Sequence, residues 1–107
     1  MGTISEQLAR LRDIIVAAYQ PDKIIMFGSR ARGEAGEESD VDLLVISDRE
    51  KHLPRYRRGL EVRLLLTEIE LPKDILFYTH EDVDRWRGVP NTFIETALTE
   101  GVTLYER

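Results

Sequence analysis

Residues 23–46, which read KIIMFGSRARGEAGEESDVDLLVI, decide the fold of this chain. The stretch begins with a short apolar run, residues 23–27, which predicts a buried strand. It ends with a second run, residues 41–46, which beyond its aspartate is apolar at odd and even positions alike. That pattern predicts a central strand covered on both sides. Between the two runs lie Gly28-Ser29, ten further residues, and the triplet Asp40-Val41-Asp42.

The two aspartates at the head of the second strand point to one face of the sheet, because strand side chains alternate. We expect their Cα atoms about 6.5–7 Å apart. Two anions beside an apolar core repel each other and are costly to desolvate, and a divalent cation between them relieves both effects. Carboxylate oxygens suit Mg²⁺ or Mn²⁺. Taken alone, an Asp-x-Asp pair is more often a plain strand start, since polar residues gather at the ends of elements.

A third aspartate, Asp74, opens another apolar run and shares strand parity with Leu76 and Tyr78. If this strand lies beside the second one, Asp74 arrives next to Asp40 and Asp42. Three carboxylates around one point match a two-metal site for phosphoryl or nucleotidyl transfer. These three aspartates are therefore the candidate catalytic and metal-binding residues.

The Gly28-Ser29 pair separates the first strand from a short predicted helix that continues to about residue 35. Glycine lets a backbone come close to a ligand, and helix N-terminal amides with a serine hydroxyl bind phosphate oxygens. Arg30 and Arg32 follow and can add positive charge there. A lone Gly-Ser is usually only a turn, so the specificity of the signal comes from its spacing to Asp-x-Asp.

The remaining pattern alternates helices and strands, which predicts an α/β (α+β) domain with a small mixed sheet flanked by helices. With 107 residues, the chain has the size of one domain, residues 1–107. Thr3 and Glu6 form a capping box for a first helix with an apolar stripe. The connection between the first two strands is long enough to leave their relative direction open.

The second half of the chain contains three further predicted helices. The first starts at Pro54 and is expected to carry Tyr56, Leu60 and Leu64 on one face, with Gly59 weakening its interior. The next begins at residues 79–82 and ends near residue 86, after the strand of residues 74–78. The last restarts at residues 90–91, ends at a glycine cap at residue 101, and is followed by a strand over residues 102–105.

Composition narrows the class of protein. The chain is 42% hydrophobic and 33% charged, with a net charge of −5, so it reads as a soluble globular domain. An acidic chain is not expected to hold a large nucleic-acid surface. The absence of cysteine excludes disulfides and thiolate zinc sites and slightly favours the cytoplasm. No apolar stretch approaches the length of a membrane span.

Several other residues carry weaker signals. A local basic cluster is interpreted as a solvated helix face in preference to a docking surface for an acidic partner or a nucleotide. Two histidines lack metal-ligand spacing and are expected at the surface. Three aromatic residues are expected in the core rather than on a base-stacking surface. The basic cluster consists of Arg55, Arg57, Arg58 and Arg63. The histidines are His52 and His80, and the aromatic residues are Trp86, Phe93 and Tyr105.

Residues 27–33 together with residues 39–45 resemble the signature of the minimal nucleotidyltransferases, which belong to the DNA polymerase β-type superfamily. The family pattern is Gly-Ser, ten residues, then Asp-x-Asp, and this sequence meets it without a gap. Residues 73–76 resemble the third acidic strand, and residues 100–106 resemble the ending of the short, stand-alone members. The resemblance implies a polymerase β-like nucleotidyltransferase fold over nearly the whole chain.

The resemblance also implies roles for individual residues. Gly28 and Ser29 would bind the β- and γ-phosphates of ATP, with Arg30 and Arg32 as further candidates for nucleotide binding. Asp40 and Asp42 would ligate two Mg²⁺ ions. Asp74 would ligate the ion that activates the acceptor hydroxyl and would help to remove its proton. All three acidic positions are present, which favours an active enzyme.

The stand-alone members of this family are similar to the antitoxin half of a two-gene toxin–antitoxin module whose partner is a HEPN-family toxin. This implies a cytoplasmic, Mg²⁺-dependent protein adenylyltransferase that moves AMP from ATP to a hydroxyl of the toxin, a tyrosine in that family. Two alternatives stay open: a non-catalytic nucleotide-binding subunit that neutralises its partner by binding, and a transferase with a small-molecule or RNA acceptor. The sequence alone leaves the acceptor, the preferred nucleotide, the number of nucleotides transferred and the oligomeric state undetermined.

Overall fold

The order of helices and strands follows from a computed structural model, which describes residues 3–28, 30–31, 33 and 40–107 and, of Ile4, the backbone. Both strands of the deciding stretch have the bounds that the sequence predicts. The described elements are α1 Ile4–Tyr19, β1 Lys23–Phe27, β2 Val41–Ile46, a 3₁₀ turn Arg55–Arg57, α2 Leu60–Leu66, β3 Lys73–Tyr78, α3 His80–Trp86, α4 Phe93–Glu100 and β4 Val102–Glu106.

The strands form one mixed sheet in the order β3-β2-β1-β4. β1 runs antiparallel to both β2 and β4, whereas β2 and β3 run parallel. The direction that the sequence left open between the first two strands is therefore antiparallel. β2 lies between two neighbours, and five of its six residues are buried, which confirms the prediction of a covered central strand.

The alternation of β2 divides the core into two layers. Leu43 and Val45 belong to a cluster that also contains residues of α1 and α2. Leu44 and Ile46 belong to a second cluster with residues of α3 and α4, including Val83. Helices thus cover both faces of the sheet, and α3 and α4 lie on the face to which the even-numbered residues of β2 point. No helix in the described ranges has both the length and the apolar character needed to cross a lipid bilayer.

Helix caps explain most of the helix boundaries. The Thr3 hydroxyl accepts a hydrogen bond from the Glu6 amide at the start of α1. Thr79 and Asp82 form a full capping box on α3, as the sequence predicts. Gly101 follows α4 in an extended conformation (φ −74°) rather than a left-handed one, and a Cβ there would lie 2.2 Å from the Ala97 carbonyl oxygen. Glycine is therefore favoured at the end of α4 by this close approach and not by a left-handed backbone conformation.

The helix predicted from Pro54 is wrong in its extent, because the chain forms a 3₁₀ turn at Arg55–Arg57 and a separate helix at Leu60–Leu66. Gly59 adopts a φ of +71°, and a Cβ at this position would lie 2.4 Å from the Phe77 ring, so the chain turns sharply there. This break separates the 3₁₀ turn from α2. Because the helix restarts at Leu60 in a new orientation, α2 buries Val62 and Leu66. Tyr56, Leu60 and Leu64, which were expected to share one face of the helix, are exposed.

Arg58 connects three parts of the chain and is buried, unlike the rest of the predicted basic cluster. Its guanidinium donates to the carbonyl oxygens of Glu50 and Leu53 and to a carboxylate oxygen of Asp82, the last at 3.0 Å. Burial alone would raise the pKa of Asp82. Hydrogen bonds from the Thr79 amide and from Arg58 outweigh that effect and lower this pKa below its usual value.

Replacing Asp82 by Asn should lower the free energy of unfolding at pH 7 by about 1–3 kcal/mol, because a buried cation loses its charged acceptor. Since the lowered pKa belongs to the folded state, this stabilisation is present above the unfolded-state pKa of about 3.9 and is lost as the pH falls through the folded-state value. Urea unfolding of both proteins at a series of pH values measures the difference. The difference in free energy of unfolding between the two proteins should become smaller below about pH 4. A difference that does not change with pH would contradict this account.

Candidate active site

Asp42 and Asp74 lie opposite each other in the sheet. They are register partners in the parallel pairing of β2 with β3, so their side chains project from the same face of strands that are about 4.8 Å apart. The strand of Asp74 therefore lies beside the strand of Asp42, as the sequence analysis assumed. The face concerned is the one covered by α3 and α4.

Asp40 immediately precedes β2 and is exposed, whereas Asp42 is half-buried. Burial raises the pKa of Asp42, and the negative charges of Asp74 and Asp40 raise it further, in that order. The direction of this shift means that the ionised form of Asp42 is disfavoured by its surroundings. The protein thus concentrates negative charge at the start of β2.

Gly28 directly follows β1 and lies beside Asp42. Its φ is +79°, and a Cβ at this position would lie 2.3 Å from Oδ2 of Asp42. Only a residue without a side chain leaves the carboxylate where it is. The Gly28 backbone is consequently within reach of any cation or phosphate that the Asp42 carboxylate binds.

Not all of the predicted nucleotide-binding residues can be placed. Ser29 and Arg32 lie outside the described residues, as does most of the short helix predicted to continue to about residue 35. Arg30 is half-buried in a turn, where its carbonyl oxygen accepts a hydrogen bond of 3.2 Å from the Gly33 amide. The roles of these residues stay predictions.

The acidic residues fit a divalent cation in their chemistry. In residues 3–28, 30–31, 33 and 40–107, no three acidic or histidine side chains are already gathered into a metal site. Burial and, after it, the negative charges of Asp74 and Asp40 raise the pKa of Asp42, and a divalent cation bound there would offset both effects. Asp40, Asp42 and Asp74 supply only carboxylate oxygens, the ligands that Mg²⁺ prefers.

An aromatic cluster lies on the same face of the sheet, and the sequence analysis missed it. Phe27, the register partner of Asp42 on β1, stacks on Phe93 with ring centroids 6.1 Å apart. Tyr78 meets Phe93 edge-on at 5.2 Å. Phe93 and Trp86, which were expected in the core, are 39% and 41% exposed. Both line an open cavity of about 570 Å³ beside α3 and α4.

The cavity is basic as well as aromatic. Arg55, Arg58 and Arg85 contribute to its lining, and Asp82 is its acidic residue. Arg55 lies over the Tyr78 ring, 4.6 Å from its centroid, and donates to the Tyr78 hydroxyl. The sequence signal that could have revealed this cavity is the recurrence of arginine near aromatic residues in residues 55–58 and 85–93.

The two histidines behave as surface residues, as predicted. His52 is exposed in the loop before the 3₁₀ turn. Nε2 of His80, the first residue of α3, lies 2.7 Å from a carboxylate oxygen of Asp22. This contact ties α3 to the start of β1, far along the sheet from Asp74.

Comparison with known proteins gives a family, two sequence relatives and two structural neighbours. The family model described as "Nucleotidyltransferase domain" matches residues 8–100, which include Gly28 and all three aspartates. Two proteins of Methanocaldococcus jannaschii, each named a putative protein adenylyltransferase, are 38% identical. One alignment covers 64% of this chain and 68% of the relative, and the other covers 76% of each.

The structural neighbours are more distant in sequence. A crystal structure of a putative nucleotidyltransferase from Sulfolobus solfataricus matches 100% of this chain and 91% of its own, with a TM-score of 0.63 and 22% identity. A chain from a toxin–antitoxin crystal structure with AMP-PNP matches 98% of this chain and 75% of its own, with a TM-score of 0.58 and 18% identity. These likenesses confirm the predicted fold.

Replacing Gly28 by Ala should displace the Asp42 carboxylate and lower transferase activity by at least about tenfold, since small displacements of reacting groups are costly. Gly88 is the matched control, because it has the same φ of +79° but no atom within 4 Å of its Cβ position. Both variants incur the strain of a left-handed alanine, about 1–2 kcal/mol. Urea unfolding should show a larger loss for Gly28→Ala, and equal losses with full activity in both would contradict the contact.

Replacing Asp42 by Asn should stabilise the metal-free protein. The folded-state pKa of Asp42 is raised, so its ionised form opposes folding above the unfolded-state pKa of about 3.9, and removing the charge relieves this. In EDTA at pH 7, we expect Tm to rise by roughly 1–4 °C. Added Mg²⁺ should raise Tm more for the wild type than for the variant. Asp84→Asn, at an exposed position on α3, is the control. A lower Tm for Asp42→Asn would contradict the conclusion that ionised Asp42 opposes folding.

Proposed function

Because this chain belongs to the nucleotidyltransferase domain family and is a nucleotidyltransferase enzyme, we propose that it transfers AMP from ATP to a hydroxyl group of a partner protein. The observation that carries the proposal is the register pairing of Asp42 with Asp74, with Gly28 in contact with Asp42. Carboxylates on neighbouring strands, beside a backbone that can approach phosphates, suit two-metal nucleotidyl transfer.

In this proposal Asp40, Asp42 and Asp74 hold two Mg²⁺ ions. When bound, these ions lower the pKa of the acceptor hydroxyl and neutralise the pyrophosphate leaving group. The donor set fits this purpose because it is made only of carboxylates.

The residues of the chain orient the reactants for in-line attack. The Gly28 backbone and the Ser29 hydroxyl hold the terminal phosphates of ATP, with Arg30 and Arg32 adding positive charge. Asp74 lies on the acceptor side and accepts the hydroxyl proton. The acceptor oxygen forms a bond to the α-phosphorus as the bond from that phosphorus to the bridging oxygen of pyrophosphate breaks. AMP becomes attached to the acceptor and pyrophosphate leaves.

A protein acceptor is supported by the sequence relatives, which are named protein adenylyltransferases and match across most of their length. A toxin as that acceptor is supported by the structural neighbour from a toxin–antitoxin structure with AMP-PNP. We take the partner to be a HEPN-family toxin, the acceptor group to be a tyrosine hydroxyl, and the site of action to be the cytoplasm. On this basis the chain acts as an antitoxin.

Incubating the purified protein with Mg²⁺, ATP and the protein encoded by the neighbouring gene should add one or more AMP units to that protein, as measured by intact mass. Asp42→Asn and Asp74→Asn should each slow the transfer by on the order of 10²–10⁴, since each removes a metal ligand. EDTA should abolish it.

Asp84→Asn is the matched control and should transfer at the wild-type rate. Tandem mass spectrometry of the modified protein then identifies the acceptor residue. If the partner stays unmodified while Asp42→Asn still neutralises its toxicity, the antitoxic activity is binding alone and the proposed catalysis is wrong.

A further inference from the structure

Four large apolar side chains are exposed on α2 and on the 3₁₀ turn before it. They are Tyr56, Leu60, Leu64 and Leu65, named here the α2 patch, and their exposed fractions range from 50% for Leu65 to 80% for Tyr56. The described part of the chain has eight exposed large hydrophobic residues, so half of them fall within these ten positions. A concentration of exposed apolar side chains within one short segment favours an interaction site there.

The surroundings of the α2 patch are basic, although the chain is acidic. Residues 49–63 contain six arginines and lysines and two glutamates, in a chain whose net charge is −5. Arg58 is neutralised internally by Asp82. Arg55, Arg57 and Arg63 are exposed next to the patch residues in sequence. A surface of this composition attracts a partner that is acidic where it contacts it.

Arg63 and the buried Arg58 both bind backbone carbonyl oxygens at the free edge of the sheet. β3 is an edge strand, and Arg63 donates a hydrogen bond of 2.6 Å to the Ile75 carbonyl oxygen. Arg58 donates one of 3.4 Å to the Phe77 carbonyl oxygen. With both carbonyl oxygens occupied, the edge of β3 is a poor template for an added strand, which favours docking on the side chains of α2.

The α2 patch lies close to β3, the strand that carries Asp74. Arg63 holds α2 against Ile75, the residue directly after Asp74. At the other end of β3, Arg55 lies over Tyr78 and lines the 570 Å³ cavity. Residues 55–63 therefore follow the edge of β3, the strand that begins with Lys73 and Asp74.

We propose that the α2 patch is the docking surface for an amphipathic helix of the partner protein, with an apolar stripe flanked by aspartate and glutamate. Leu60 and Leu64 are one helical turn apart and form the ridge that such a helix packs against. The partner then has to extend past the edge of β3 to place its acceptor hydroxyl at Asp74, because the Asp74 side chain projects from the face of the sheet opposite to the one that α2 covers. The identity of the partner rests on the proposed function, whereas the binding step does not require catalysis.

A second copy of this chain is a poor occupant. A symmetric contact through the α2 patch would place Arg55, Arg57 and Arg63 of one copy against the same residues of the other. Like charges in such a contact oppose association.

The test is the affinity of the protein encoded by the neighbouring gene, measured by calorimetry without Mg²⁺ or ATP so that no transfer occurs. Leu64→Asp should weaken binding by roughly 10–100-fold, because it puts a carboxylate in an apolar contact facing an acidic partner. Arg57→Glu should weaken it by roughly 5–20-fold, with a larger effect at low salt. Val89→Asp and Arg87→Glu, exposed near the end of α3, should bind within about twofold of the wild type. Circular dichroism and Tm establish that each variant is folded.

Transfer kinetics give a second readout. Leu64→Asp should raise KM for the partner and leave kcat and KM for ATP unchanged, whereas Asp42→Asn should bind the partner as the wild type does. Transfer by Leu64→Asp with an unchanged KM for the partner would overturn the docking surface but not the proposed reaction. Binding that depends on the α2 patch without any AMP transfer would overturn the reaction but not the docking surface.

Three further outcomes overturn the docking proposal. The first is unchanged affinity in Leu64→Asp. The second is no binding of the neighbouring protein by the wild type. The third is wild-type self-association, by sedimentation, that Leu64→Asp abolishes, since the occupant of the patch would then be a second copy.

Discussion

The free-energy cost of ionising Asp42, which is half-buried on β2 directly across the parallel β2–β3 ladder from Asp74, is the constraint on which the rest of the structure depends. Leu44, the next residue of β2 on the same face as Asp42, is buried, so the carboxylates lie at the edge of an apolar core. The apolar clusters on both faces of the sheet offset the free-energy cost of these carboxylates. Gly28 lacks a side chain for the same reason, since any Cβ would displace Asp42. Stability and function oppose each other here, as is common at sites built to bind a ligand.

The sheet and its acidic rim were predictable because their signals are local. The bounds of β1 and β2 follow from apolar runs that end at glycine and begin at aspartate, and parity alone puts Asp40 and Asp42 on one side. The position of Asp74 needed one assumption, that β3 lies beside β2, which the structure bears out. Thr79 and Asp82 likewise indicate the start of α3, because the hydrogen bonds of their capping box are all within four residues.

The errors concern burial, which depends on distant parts of the chain. The spacing of Leu60 and Leu64 shows that they share a face, but not which face the domain covers. Gly59 turns the chain against the Phe77 ring, and this contact between residues far apart in sequence selects the opposite side of α2 for the core. Arg58 is buried because Asp82 neutralises it, and Phe93 is exposed at the start of α4; neither fact is visible in local sequence.

The pairing of β1 with β4 has a consequence for the synthesis of the protein on the ribosome. Lys23 pairs with Glu106, so one edge of β1 stays unpaired until a strand far along the chain has been translated. β1, β2 and β3 emerge in order and can pair as they do so, whereas contacts between distant segments form late. Until Val102–Glu106 leaves the exit tunnel, the nascent chain carries an open sheet edge beside Ile25 and Met26. This is an interval in which a chaperone can bind it.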